Sequence, residues 1–172
     1  MQIHRKKYQT VLLVSSLIIG LDQLTKYIVC KLLPLHSRIE VFRDFLNIVH
    51  IRNPGIAFGL LKQFGSQFKV LCLILVSAVV LFLLVFLITQ IKKEHRLQTF
   101  SLSLILGGAI GNLIDRFRLG EVIDFIDVHW RSIYHWPAFN VADSAITVGI
   151  IIIVLCELLK HKQEKVPKMP KV

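Results

Sequence analysis

Residues 70–91 form a run of 22 positions without a formal charge. At ~1.5 Å per helical residue the run reaches about 33 Å, enough to cross the hydrocarbon of a bilayer. Three more apolar stretches, 11–33, 97–114 and 138–159, are long enough to do the same. Pro34 limits the first of them, because the residue before a proline is pushed out of the helical region. Between the spans the pattern changes. Residues 38–52 (RIEVFRDFLNIVHIR) partly alternate apolar and polar positions and are rich in Ile, Val and Phe, which predicts one or two short strands at the membrane surface. Asn53-Pro54-Gly55 is a turn signal that ends them. Residues 121–130 (EVIDFIDVHW) repeat the theme, and Trp130, Tyr134 and Trp136 suit the headgroup zone ahead of the last span. The predicted fold is an α-helical integral membrane protein: one membrane domain over 1–172, four transmembrane helices, and a small sheet on their outer ends within loops 34–69 and 115–137.

Composition agrees with this class. Of the 172 residues 54% are hydrophobic, too many for an ordinary soluble domain of this length. The net charge of +10 could suggest nucleic acid. The cations, however, cluster beside the spans rather than along one soluble face, so anionic lipid headgroups are the expected counter-charge and no nucleic acid is expected. Arg5, Lys6 and Lys7 precede span one. The turn Lys92-Lys93-Glu94-His95-Arg96 joins spans two and three, and Lys160, Lys162, Lys165, Lys168 and Lys171 follow span four. Four crossings bring these clusters to one side, which the positive-inside rule makes cytoplasmic. Arg38, Arg43, Arg52, Lys62, Arg116, Arg118 and Arg131 fall in the opposite loops, so the bias is incomplete. The N-terminus imitates a signal peptide, but no small-x-small cleavage site follows, and an uncleaved first span is expected. Cys30, Cys72 and Cys156 lie in apolar runs without CxxC spacing and read as small buried hydrophobes.

Polar residues in such a chain need a reason, because carboxylates near hydrocarbon are costly. Asp22 and Lys26 stand four apart on one helical face and can pair, either as a buried structural pair or within a site. Gly107, Gly108, Ala109 and Gly111 allow close helix approach. Asp115 opposes the macrodipole at a helix C-terminus, and it does not face its neighbour Arg116, so each needs a more distant partner. Asn140 is a favoured N-cap, with Asp143 three residues on as a helix-start acid. Asp143 becomes chemically interesting only beside a second carboxylate. Asp124, flanked by Val122-Ile123 and Phe125-Ile126, is the best candidate, and Asp127 competes with it. There is no HExxH, no GxSxG and no GxGD at Asp22, and His129 and His135 show no recognised ligand spacing. Ser144 has no His or Lys placed beside it by sequence. A pair of aspartates is the chemistry on offer. A small transporter using Asp22 and Lys26 at the midplane is the rival class, and a non-catalytic scaffold a third.

Five segments taken together point further: Asp22-Gln23-Leu24-Thr25-Lys26; Asn53-Pro54-Gly55-Ile56-Ala57-Phe58-Gly59; residues 107–116 (GGAIGNLIDR); Val122-Ile123-Asp124-Phe125; and Phe139-Asn140-Val141-Ala142-Asp143-Ser144. In this order and spacing, from about Asp22 to Thr147, the chain resembles bacterial lipoprotein signal peptidase, or signal peptidase II. The resemblance implies an aspartic intramembrane peptidase of the inner membrane, with four transmembrane helices, cytoplasmic termini and a periplasmic sheet cradling the substrate. The implied substrate is a prolipoprotein carrying diacylglycerol on the cysteine after the cut. The family's catalytic aspartates fall on Asp124 and Asp143, and its supporting residues on Asp22, Lys26, Asn53, Asn112, Asp115, Arg116 and Asn140. Asp127 lies outside the motif and is then expected to be a solvated loop residue. This chemistry needs no metal or cofactor. The expected partners are the lipidated precursor and membrane lipids, and the chain is expected to be a monomer.

Overall fold

The computed structural model describes residues 2–55, 66–91, 95–131 and 133–164. The Ile56–Gly59 part of the turn motif, Lys62, Lys92, Lys93, Glu94, Lys165, Lys168 and Lys171 lie outside the described residues, as does the side chain of Lys162. The elements run α1 (Gln2–Leu32), β1 (Arg38–Phe42), β2 (Leu46–Asn53), α2 (Ser66–Gln90), α3 (Arg96–Leu119), β3 (Val122–Trp130), β4 (Tyr134–His135) and α4 (Val141–Glu164). All four helices are long and apolar enough to cross a membrane. The strands form one antiparallel sheet in the order β1-β2-β3-β4.

Helix α3 is the central helix and packs against α1, α2 and α4. Its small residues explain why. A Cβ on Gly111 would meet Asp22 Oδ2 of α1 at 2.6 Å, and one on Gly108 would collide with the Ala142 carbonyl oxygen of α4. Ser15 Oγ of α1 donates to the Ser103 carbonyl of α3 at 2.9 Å, the kind of interhelical bond that small-residue contacts permit. On the α2 side, Leu84 and Ile88 pack with Leu102 and Ile105 in the main apolar cluster. The other helices leave large apolar faces uncovered, including Leu12, Leu13, Phe82 and Leu158, as a bundle bathed in lipid requires. Cys30 is on such a face and is exposed rather than buried; Cys72 and Cys156 are half-buried.

Both ends of the bundle are defined by polar contacts. At one end Lys7 Nζ of α1 donates to the carbonyls of Thr89, in the last turn of α2, and of Ile91 just after it, at 3.3 and 2.9 Å. There too Gln98 of α3 donates to Glu157 of α4 at 2.7 Å. The sheet lies at the opposite end. Its β2 and β3 touch α1, and β3 touches α3. Helix α1 contains Arg5, Lys6 and Lys7 rather than starting after them. Helix α3 continues past residue 114, so Asp115 and Arg116 belong to the helix and not to the loop. It stops at Gly120, whose left-handed φ of 74° suits glycine and whose N–H bonds the Arg116 carbonyl at 3.0 Å.

Candidate active site

The first turn of α4 is held by two other parts of the chain. Asn140 is its N-cap: Asn140 Oδ1 accepts from the Asp143 N–H at 2.9 Å, and Asp143 Oδ2 accepts in return from the Asn140 N–H at 3.3 Å. This is a capping box with Asn and Asp in place of the usual pair. The Ala142 N–H, another donor the helix leaves over, is taken by Asp22 Oδ1 of α1 at 2.9 Å. The reading of Asp143 as a helix-start acid therefore holds.

Its partner arrives on β3. Phe139 pairs with β3 in strand fashion, its carbonyl accepting from Phe125 and Ile126 and its N–H donating to Ile126. That places Asn140 against Asp124. Asn140 Nδ2 donates to Asp124 Oδ1 at 2.8 Å and also lies 3.2 Å from Asn112 Oδ1 and from the Ile123 carbonyl. Asn112 Nδ2 in turn donates to Asp143 Oδ1 at 2.8 Å. The two carboxylates are thus tied to each other through two asparagines. The other oxygen of Asp124 accepts from Asn53 Nδ2 at 2.9 Å, while Asn53 Oδ1 accepts from the Gly55 N–H at 2.8 Å. Gly55 takes a φ of 68° to make that turn.

Behind the pair sits a buried ion cluster. Lys26 Nζ lies 2.8 Å from Asp22 Oδ2, 2.7 Å from Asp115 Oδ2 and 3.0 Å from Asn112 Oδ1. Asp22 and Asp115 are 0% and 1% exposed, so the lysine is what makes their charges tolerable. Asp115 also accepts from the Ile123 N–H at 3.2 Å, which fixes the start of β3 beside α3. The ion pair is buried, and Asn112 alone stands between Lys26 and Asp143.

Asp124 is 2% exposed, whereas Asp143 is half-buried. Burial pushes the Asp124 carboxyl up to about 6, and the Asp143 charge adds to that. Hydrogen bonds from Asn53 and Asn140 and the Lys26 charge pull the other way. Asp143 lines a cavity of about 560 Å³ with Val128, Trp136, Phe139, Thr147 and Val148, so this carboxylate opens on a largely apolar space. Ser144 Oγ donates to the Asn140 carbonyl at 2.9 Å, an ordinary helical bond that leaves it no role as a nucleophile.

Eight of the nine sequence-derived residues come together in one network. Arg116 is the exception: its Nε is buried without a hydrogen-bond partner among the described residues. Its guanidinium reaches toward the Asn53–Gly55 turn, since a Cβ on Gly55 would lie 3.8 Å from Arg116 Nη2. Asp127 differs from expectation. It lies on β3, not in a loop, and is half-buried, accepting from Asn47 Nδ2 at 2.9 Å. Gln23 belongs to the network although only its place beside Asp22 hinted at it. Gln23 Nε2 donates to Asp115 Oδ1 at 3.0 Å and lies 3.2 Å from the Gly111 carbonyl.

Residues 14–159 match the family model described as signal peptidase (SPase) II. The lipoprotein signal peptidase of Syntrophotalea carbinolica is 44% identical over 151 residues, covering 88% of this chain and 92% of the relative. That of Desulforapulum autotrophicum is 47% identical over 142 residues, covering 83% and 87%. A solved bacterial membrane enzyme superposes with a TM-score of 0.80 at 35% identity, over 95% of both chains. A second gives 0.77 at 36% identity, over 87% of this chain and 93% of that one.

Proposed function

Because the chain belongs to the signal peptidase II family, a peptidase of prolipoprotein signal peptides built as a multi-pass bacterial membrane protein, we propose that Asp124 and Asp143 hydrolyse the peptide bond as an aspartic pair. The observation that carries this reading is Asn140. It binds Asp124 through its side chain and Asp143 through its backbone and side chain, so one residue sets the distance between the two acids.

The division of labour follows from environment. Asp124 is buried, and a pKa raised to about 6 lets it hold a proton more readily than an ordinary carboxyl, so it is the acid. Asp143 sits in the first turn of α4, where the helix N-terminus favours negative charge, so it is the base. Asp143 takes a proton from a water between the carboxyls, and the water oxygen attacks the scissile carbonyl carbon. Asp124 gives its proton to the carbonyl oxygen as the tetrahedral intermediate forms. Collapse then breaks the C–N bond: Asp124 takes a proton from the intermediate's hydroxyl as the carbonyl re-forms, and Asp143 gives its proton to the leaving amine, which restores the pair. A second kind of support is location: the pair stands at the end of the bundle, beside the sheet, and Asp143 lines an open cavity there.

The substrate is the diacylglyceryl-modified precursor, cut on the N-terminal side of the lipidated cysteine. The apolar cavity beside Asp143 receives the residues flanking the cut, and the uncovered helix faces receive the acyl chains. Arg116 and Asn53 bind the peptide backbone or a lipid phosphate near the Gly55 turn. The chain sits in the inner membrane with Arg5, Lys6, Lys7 and Lys160 on the cytoplasmic side, both termini there, and the sheet in the periplasm. A single chain supplies every member of the network, so a monomer suffices.

Asp124→Asn and Asp143→Asn, assayed on a lipidated precursor peptide, should each reduce cleavage to background. Asp127→Asn should remain active. Substantial cleavage by either of the first two variants would sink the pair, and a dead Asp127→Asn enzyme would show the wrong partner was chosen.

A further inference from the structure

Asp127, His129 and His135 meet on one face of the sheet, and the site described above uses none of them for chemistry. Asp127 and His129 are two apart on β3 and so share a face. His135 lies directly opposite His129 on β4. The flanking bond from the Trp136 N–H to the Val128 carbonyl, at 2.9 Å, makes His129 and His135 a non-hydrogen-bonded pair, the closer of the two antiparallel arrangements. Their rings stack with centroids 4.9 Å apart and planes 8° from parallel.

The nitrogen atoms of both rings face one carboxylate. His135 Nδ1 is 3.5 Å from Asp127 Oδ1, and His129 Nδ1 is 3.9 Å from Asp127 Oδ2. His129 is 9% exposed, and its Nδ1 is buried with no hydrogen-bond partner among the described residues. Protonated, that atom is a buried donor without an acceptor. Unprotonated, it is a buried lone pair without a donor. Either state costs free energy that a ligand would recover.

We propose that Asp127, His129 and His135 form a binding site for a divalent transition-metal ion of the zinc class. One oxygen and two imidazole nitrogens lie within 4.8 Å of one another. A tetrahedral ion with bonds of about 2.1 Å needs ligand separations of about 3.4 Å, which small side-chain rotations supply from here. Two imidazoles and one carboxylate are the borderline donors such ions take, with water in the fourth position. Asn47 does what an outer partner does at such sites, orienting the carboxylate from the neighbouring strand through its 2.9 Å bond. The ion would clamp β4, only two residues long, onto β3. His129 also lines the cavity that contains Asp143, so the clamp stiffens one wall of that space.

The test is titration of the full chain in detergent with Zn2+ alone, in competition with a chromophoric chelator, and with Co2+ for its ligand-field absorption. The parent should bind one ion at this site and give a Co2+ band of nitrogen-and-oxygen character. His135→Asn, an exposed position whose change leaves folding and metal-free cleavage intact, should lose that band and weaken the tight event at least tenfold. Asp127→Asn should do the same. Equal binding by parent and both variants, or no saturable binding by the parent, overturns the proposal.

Discussion

Asn53 grips Asp124 with its amide nitrogen at 2.9 Å while its amide oxygen is held by the N–H of Gly55. The donor can point only one way, so the turn that follows β2 controls the protonation of a carboxylate on β3. The bond favours the charged form of Asp124 and opposes the larger effect of burial.

That sets a pH prediction with a definite sign. If the reacting pair carries one proton, kcat/KM falls as pH rises through the Asp124 value of about 6, where the acid is lost. At pH 7 about one free molecule in ten retains it. A substrate bound over the pair as proposed would remove more water, so the same limb in kcat should lie at higher pH. Asn53→Ala removes a bond that lowers the value and should move the limb of kcat/KM upward. A loss of amplitude with the limb in place would count against this account.

Lys26 pairs with two buried carboxylates at once. Lys26→Met should lower stability by about 3–5 kcal/mol, because it leaves buried charges without a partner. Asp22→Asn should be milder: the amide keeps an oxygen for the Ala142 N–H, and Lys26 keeps Asp115. Thermal unfolding in detergent distinguishes the two, and an unchanged midpoint for Lys26→Met is the outcome this reading cannot accommodate.

Asn140 does two separable jobs, capping α4 and donating to Asp124. Asn140→Ala should cost about 1 kcal/mol for the cap, with cleavage reduced about 100-fold as the carboxyls lose their spacing. Asn140→Ser restores a good cap but is too short to reach Asp124. It should recover stability without recovering cleavage. Recovery of both in the serine variant would show that the asparagine acts only as a cap.

Much of this was legible from residue order. Hydropathy located the four helices, the cost of polar groups in an apolar chain marked Asp22, Lys26, Asp115, Asn140 and Asp143, and only the family resemblance marked Asn112. The helix-cap spacing at Asn140 and Asp143 was also visible. What hydropathy could not rank was Asp124 against Asp127. They are three apart on a strand, so they face opposite ways, but which face looks toward α4 depends on how Phe139 docks on β3. Asp127 read as a loop residue because its support, Asn47, comes from the β2–β3 register. His129 and His135 showed no ligand spacing because they meet through a two-residue strand that leaves no pattern of its own. Helix α3 runs past the end of its apolar stretch for a similar reason. Asp115 breaks the hydrophobic run, yet Lys26 lets it stay helical.

The hydrogen bond from Ala142 to Asp22 joins residues 120 positions apart, one in the first helix and one in the last. The polar network around Asp22 and Lys26 therefore closes only when the last membrane helix docks against the first, so the end of the chain completes what its beginning starts.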